Sequence, residues 1–219
     1  VRYSIFDMDR TVTRGGSYTP WLLYWAWHEA PWRLALLPLS LAAAAAYLAG
    51  LVSRGRLKEI NHRLLMGARS DAARVARRAG AFAGWVVRRA FADARARIAA
   101  EQAEGRTVVL ATASYEFYVR AIADRLGVEQ VVATRACRDG NAGGAILARI
   151  DGENCYGTAK RAMVEAALPP RAGLHVRFFS DHHSDAPMFD WADERFAINP
   201  TRRLRLLAAM HGWAVLYWS

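Results

Sequence analysis

The sequence predicts an α/β protein: a parallel sheet with helices on both faces, interrupted after its first strand by an all-α insertion. Three observations predict it. A short apolar run at residues 3–6 stands at the start and reads as a strand. No strand-like alternation appears between Ser17 and Glu104. From Arg106 onward, strand-length apolar runs alternate with helical patterns, the arrangement that builds a parallel sheet. The expected division is an α/β core of residues 1–14 and 106–219 and a helical insertion of residues 15–105.

The elements follow in order. Residues 3–8 form the first strand, and Gly15, Gly16 and Pro20 punctuate a loop. Residues 17–29 read as an aromatic helix. Pro31 suits the first turn of the next one, expected over 31–52 with Pro38 interrupting its interior. Leu57, Ile60 and Leu64 share one face of a short helix ending near Gly67. Asp71 opens another, with Val75, Ala79, Phe82, Val86 and Ala90 as its apolar stripe and Arg77, Arg88 and Arg95 opposite. Beyond the insertion, strands are expected at 108–112, 131–136, 145–150, 175–180, 196–199 and 214–218. Helices are expected at 115–126, with Gly127 past its end, at 157–168, stopped by Pro169 and Pro170, and at 200–211, capped by Gly212. Asp139, Gly140, Asn141, Gly143 and Gly144 make a turn between two of the strands.

Composition narrows the class. The chain has 219 residues, enough for a sizeable core and one or two domains. Cys137 and Cys155 show no metal-ligand spacing and read as reduced thiols of a cytosolic protein. Nothing precedes the first strand, so no signal peptide is expected, although a chain that begins with Val leaves a lost extension open. Net charge is +10, and twelve Lys or Arg between Arg54 and Arg97 face only Glu59, Asp71 and Asp93. That patch implies an anionic partner or a solvated helix face. The motifs of nucleic-acid readers are absent, and no nucleic acid is expected.

The chemistry concentrates at strand ends. The apolar run 3–6 leads into Asp7-Met8-Asp9-Arg10-Thr11, two carboxylates one residue apart. Neighbours in a strand point to opposite faces, so two acids aimed at one site fit a strand that has just ended. Val108-Val109-Leu110-Ala111-Thr112 is a buried-strand run ending in a hydroxyl. Lys160 sits in a helix opening, and Val176-Arg177-Phe178-Phe179-Ser180-Asp181 ends in acid, with Asp185 four residues on. Open α/β sheets place their sites at such carboxyl ends. Taken singly, Thr112 reads as an N-cap and Lys160 as a solvated lysine.

Strand–Asp-x-Asp-x-Thr, strand–Thr, Lys, strand–Asp-x-x-x-Asp, in this order, resembles the haloacid dehalogenase superfamily of phosphatases. The nearer likeness is to its phosphoserine-phosphatase-like branch (subfamily IB), which tolerates Arg where Gly is commoner after Asp-x-Asp. The resemblance covers the whole chain and implies a Rossmann-like core with a cap inserted after the first strand. It also implies Mg²⁺-dependent phosphomonoester hydrolysis. On that likeness Asp7 is the nucleophile that becomes an aspartyl-phosphate, and Asp9 is the general acid and then base. Asp7, the Asp9 carbonyl and Asp181 would hold Mg²⁺, which prefers oxygen. Asp185 would act from behind on a metal water or on Lys160. Thr112 and Lys160, with the amides of Ala113 and Ser114, would grip phosphate oxygens. His182 and His183 invite a zinc reading, but loop residues lining the site are the plainer one.

The insertion bears on substrate. Trp21, Trp25, Trp27 and Trp32 cluster ahead of residues 34–52, nineteen residues without a charge. As a helix these span roughly 28 Å, near the hydrocarbon thickness of about 30 Å. A single crossing would separate Asp7 from Thr112, Lys160 and Asp181, so the run is either the core of a helical cap or a hairpin dipping into one leaflet. In the hairpin, residues 17–29 and 31–52 would be the two arms. The apolar segment followed by Ser53-Arg54-Gly55-Arg56 is similar to the cap of C-type phosphatidylglycerophosphatases. The expected substrate is therefore a phospholipid head-group phosphate. A small metabolite such as phosphoserine is the alternative, and a non-catalytic phosphate-binding module comes last because every motif acid is present. The expected partners are the phosphorylated substrate and an anionic membrane surface met through residues 17–97. The expected location is the cytoplasm, peripheral on the inner face of the membrane.

Overall fold

A computed structural model describes residues 1–140 and 144–219. Among them, the strands are β1 (Arg2–Phe6), β2 (Arg69–Ser70), β3 (Thr107–Tyr115), β4 (Gln130–Asp139), β5 (Ala145–Asp151), β6 (His175–Ser180), β7 (Glu194–Ile198) and β8 (Ala214–Leu216). The helices are α1 (Tyr18–Glu29), α2 (Leu37–Leu48), α3 (Arg54–Leu65), α4 (Ala72–Arg88), α5 (Ala92–Ala103), α6 (Glu116–Arg125), α7 (Thr158–Ala167), α8 (Ala186–Trp191) and α9 (Arg202–His211). The sheet order is β2-β5-β4-β3-β1-β6-β7-β8. The six strands from β4 to β8 in that order run parallel, whereas β5 and β2 add on antiparallel.

The pleat explains the two-sided core. In β1, Ile5 packs under the face that carries Val109, Val176, Phe178 and α7 to α9, while Phe6 turns to the face of Leu110, Phe179 and the inserted helices. Phe6 stacks on Phe179 at 4.2 Å. Both faces are dry, which is why the central strands read as continuous apolar runs rather than alternating ones.

The structure corrects several expectations. The first strand stops at Phe6, before both acids. The insertion contains a two-residue strand, β2, paired with β5. The chain at 31–52 is a 3-10 turn (Pro31–Leu36) followed by α2, so Pro38 lies in the first turn of a helix, where its missing N–H costs little. The buried face of α3 is Lys58, His62 and Leu65, and Leu57, Ile60 and Leu64 are only half-buried. The Asp71 helix ends at Arg88, and α5 is separate. The break is fixed by ties to the loop after β1: Arg14 N donates to Arg89 O at 3.1 Å and Phe91 N to Val12 O at 3.0 Å. Helix α8, opened by Pro187, was not expected. The turn at 139–144 falls partly outside the described residues, with Asn141 and Gly143.

The inserted segment divides its aromatics. Trp21 and Trp25 are buried, Trp21 stacking on Tyr118 of α6 at 5.1 Å, while Trp27 and Trp32 are exposed. Pro31–Leu48 is apolar and long enough to cross a membrane, yet among its residues only Ser40 is buried. Leu39, Leu41, Leu48 and Leu51 stand in solvent. These leucines are not the core of a closed bundle. Helix α2 lies along α3 rather than forming a two-armed hairpin with α1.

Candidate active site

The carboxyl ends of β1, β3 and β6 meet at one open cavity of about 510 Å³, which Asp7, Asp9, Thr112, Ala113, Lys160, Asp181 and Asp185 all line. Asp7 follows β1 directly, and its amide donates to Phe179 O of β6 at 2.9 Å. The chain then turns sharply: Val12 N and Thr13 N both donate to Met8 O, at 2.9 and 3.0 Å. The turn puts Arg10 at φ +66, a left-handed backbone that costs a non-glycine residue about 1 kcal/mol. It brings Asp9 back beside Asp7 to face the same cavity.

Lys160 reaches this point because Gly157, at φ +60 and ψ −128, opens α7 with a backbone only glycine takes easily. Its ammonium donates to Asp7 Oδ1 and to Asp185 Oδ2, each at 2.8 Å, and Ser180 Oγ donates to Asp185 Oδ2 at 2.6 Å. Burial works against the Lys160 charge, but Asp185 and Asp7 outweigh it and hold its pKa above the ordinary lysine value. Burial pushes Asp7 up to about 8 despite Lys160, with Asp185 and Asp181 adding to the rise. Burial and Asp185 likewise push Asp181 up to about 6.

Asp9 is held separately. Ser17 N donates to its Oδ1 and Ser114 Oγ to its Oδ2, both at 2.9 Å. Burial raises its pKa, and these hydrogen bonds only partly offset the rise. A carboxyl whose proton affinity is raised is suited to giving a proton. The contacts of Ser114 differ from the expected ones. It does not line the cavity; its amide donates to Thr112 Oγ1 at 3.2 Å and its hydroxyl fixes Asp9.

Fit to a cation follows from charge and donor type. Lys160 bridges two of three buried carboxyls, Asp7 and Asp185 but not Asp181, and Asp185 Oδ1 is buried without a hydrogen-bond partner among the described residues. Among the described residues no three His, Cys, Asp or Glu side chains close on one point, and the Lys160 ammonium sits between Asp7 and Asp185. The oxygens of Asp7 and Asp181 suit a hard divalent ion. His182 lines the cavity, but its Nδ1 pairs with Ser184 Oγ at 2.9 Å and its ring lies 4.2 Å from that of His183. This favours the plain reading of His182, whereas His183 does not line the cavity. Neither cysteine is in a disulfide, and burial pushes the Cys155 thiol up to about 12.

Three residues that the sequence reading did not assign to the site stand there. Arg54 and Tyr156 line the cavity, the guanidinium 4.0 Å over the ring. Lys58 is buried behind Ala113, where burial and Arg54 lower its pKa to about 7 against the pull of Asp9. The spacing Arg54, Lys58, His62 marks one helix face and was the available signal.

The profile of the haloacid dehalogenase-like hydrolases matches residues 5–190. The chain belongs to that family. It is 37% identical over 132 residues to a probable phosphatase of Mycobacterium tuberculosis, covering 59% of this chain and 44% of that one. It is 35% identical over 114 residues to a phosphoserine phosphatase of the same organism, covering 51% and 36%. The matched parts thus span less than half the length of these relatives. A protein of unknown function from Bordetella pertussis shares the fold at a TM-score of 0.86, with 23% identity over 98% of this chain and 97% of that one.

Proposed function

We propose that this chain is a Mg²⁺-dependent phosphomonoester hydrolase that works through an aspartyl-phosphate on Asp7. The observation that carries the reading is the pair at the end of β1: Asp7 gripped by Lys160, and Asp9 two residues on with its proton affinity raised. Lys160 holds Oδ1, which leaves Oδ2 of Asp7 to attack phosphorus. As that bond forms, the bond from phosphorus to the leaving oxygen breaks and Asp9 gives the oxygen its proton. Asp9 then takes a proton from water, whose oxygen attacks phosphorus, and the Asp7 carboxylate departs. Thr112 Oγ1 and the Lys160 ammonium face the phosphoryl oxygens. Asp7, the Asp9 carbonyl and Asp181 would hold Mg²⁺, which when bound neutralises phosphoryl charge and lowers the proton affinity of Asp7.

For the substrate, we propose a phospholipid head-group phosphate, reached by a cap of residues 15–105 on a core of 1–14 and 106–219. Support comes from the exposed apolar stretch, which runs through Leu48 and Leu51 directly into Arg54 at the cavity rim. An apolar face bordered by basic residues suits an anionic bilayer surface, here the inner face of the cytoplasmic membrane. A second reading, a small metabolite such as phosphoserine, is favoured by the relative named a phosphoserine phosphatase. A panel assay decides between them. Phosphatidylglycerophosphate in detergent or vesicles is expected to outrun phosphoserine and other small phosphomonoesters; the reverse order would establish the second reading.

A further inference from the structure

Lys58 lies outside every motif, yet its side chain is as buried as those of the acids. It leaves α3 between two rings, 5.4 Å from the centroid of Tyr18 and 5.0 Å from that of Tyr115. Its ammonium donates to Ala113 O and, at 2.6 Å, to Asn154 Oδ1, and lies 3.4 Å from Thr134 Oγ1. An ammonium has three N–H donors and no acceptor, so the three oxygens match it completely. They come from three different places: the bulge near the carboxyl end of β3, strand β4, and the loop ahead of α7. The two ring faces add to the preference for a cation.

The contacts on either side tighten the same point. Thr134 Oγ1 also lies 2.8 Å from Ala113 O and accepts from Cys155 N at 3.0 Å. Tyr18 Oη donates to the Lys58 carbonyl at 2.7 Å, which ties α1 to α3. The Ala113 carbonyl belongs to the bulged stretch of β3 that joins Thr112, which lines the cavity, to Ser114, which holds Asp9. Lys58 therefore grips from behind the stretch of β3 that serves both groups.

We propose that Lys58 is a positioning residue for the reaction: it fixes the Thr112–Ser114 bulge of β3 against the inserted helices, so that seating α3 and forming the phosphate cradle are one event. This rests on the reading of that bulge as a phosphate cradle. The test compares wild type with Lys58→Met and Asn154→Ala, the latter keeping Lys58 and removing one of its acceptors. Each is assayed for hydrolysis of p-nitrophenyl phosphate, for competitive inhibition by inorganic phosphate, and by thermal melt. Loss of ground-state phosphate binding raises KM more than it lowers kcat. Lys58→Met is expected to raise KM and the phosphate inhibition constant on the order of tenfold, with kcat changed by less than about threefold. Asn154→Ala should move both constants in the same direction by about threefold. A lower melting temperature with both constants unchanged, measured well below the melt, would reduce Lys58 to a structural lysine and overturn the proposal. If Lys58→Met fails to fold, Asn154→Ala decides alone by the same constants. Wild-type protein that neither hydrolyses the ester nor responds to phosphate would instead overturn the hydrolase reading beneath the proposal.

Discussion

The membrane reading is most directly tested at Leu41 and Leu48. Both project from α2 and are 71% and 83% exposed. Leu37, by contrast, packs against the core, so replacing it would mix membrane binding with stability. Burying a leucine side chain is worth about 1.5–3 kcal/mol. Taking about 1.5 kcal/mol for each residue, Leu41→Ser with Leu48→Ser removes about 3 kcal/mol of transfer to a bilayer, which is about 150-fold in partitioning. Exposed positions change stability by about 0.5 kcal/mol or less each, so the melt of the double variant should move by no more than about 4 °C. The assay is co-sedimentation with vesicles of anionic and of neutral lipid at low salt, with turnover of p-nitrophenyl phosphate followed in parallel. Wild type should prefer anionic vesicles and release them in 1 M salt, where screening shortens to about 3 Å. The double variant should bind about two orders of magnitude more weakly and keep its turnover of the soluble ester. Equal binding by both proteins, or none by wild type, would refute the reasoning and move the substrate to the small-metabolite class.

Other outcomes follow from the site. Asp7→Asn should lower kcat on the order of a thousandfold or more, whereas Asp9→Asn should let acid-stable phosphoprotein accumulate; near-normal turnover by Asp7→Asn would end the mechanism. Chelation should abolish turnover and Mg²⁺ restore it, and restoration by Zn²⁺ alone would return His182 and His183 to the metal site. Asp181 binds a proton more tightly folded than unfolded, because its pKa rises from 3.8 to about 6. The ionised form therefore weakens the metal-free fold as pH climbs through that window. In chelator, Asp181→Asn should melt higher than wild type above pH 6 and lose that advantage towards pH 4; an advantage that persisted at pH 4 would contradict it.

Much of this was legible in the sequence because it is carried by local pattern. His175–Ser180 was read to the residue, and Gly127 and Gly212, at φ +68 and +67, mark two helix ends where they were placed. Asp7, Lys160, Asp181 and Asp185 meet because each sits just past a strand or at the start of a helix, and Thr112 joins them from a bulge near the carboxyl end of β3, so that sheet topology assembles them. What escaped depends on contacts distant in sequence. The pairing of β2 with β5 joins residues more than seventy apart, and no propensity of Arg69-Ser70 announces it. The break after Arg88 is set by the loop following β1, seventy-odd residues earlier. Lys58 was counted as one charge in a basic segment because composition cannot tell a solvated lysine from one seated among three oxygens.

The misread lysine and the exposed leucines bear on one question, how the insertion and the core divide the work. The α/β core supplies every group that touches phosphorus in the proposed reaction. The insertion supplies Tyr18 and Arg54 to the cavity wall and Lys58 to its back. Arg54 opens α3 immediately after the apolar stretch, and Lys58 follows one turn later on the same helix. A ligand that binds along the stretch and at Arg54 would load the helix whose next turn holds the Thr112–Ser114 bulge of β3. On the lipid reading, membrane contact and cradle formation are therefore coupled through α3, and vesicles should lower KM even for a soluble ester. On the small-metabolite reading, α3 is loaded only from inside the cavity, and vesicles should leave that constant unchanged.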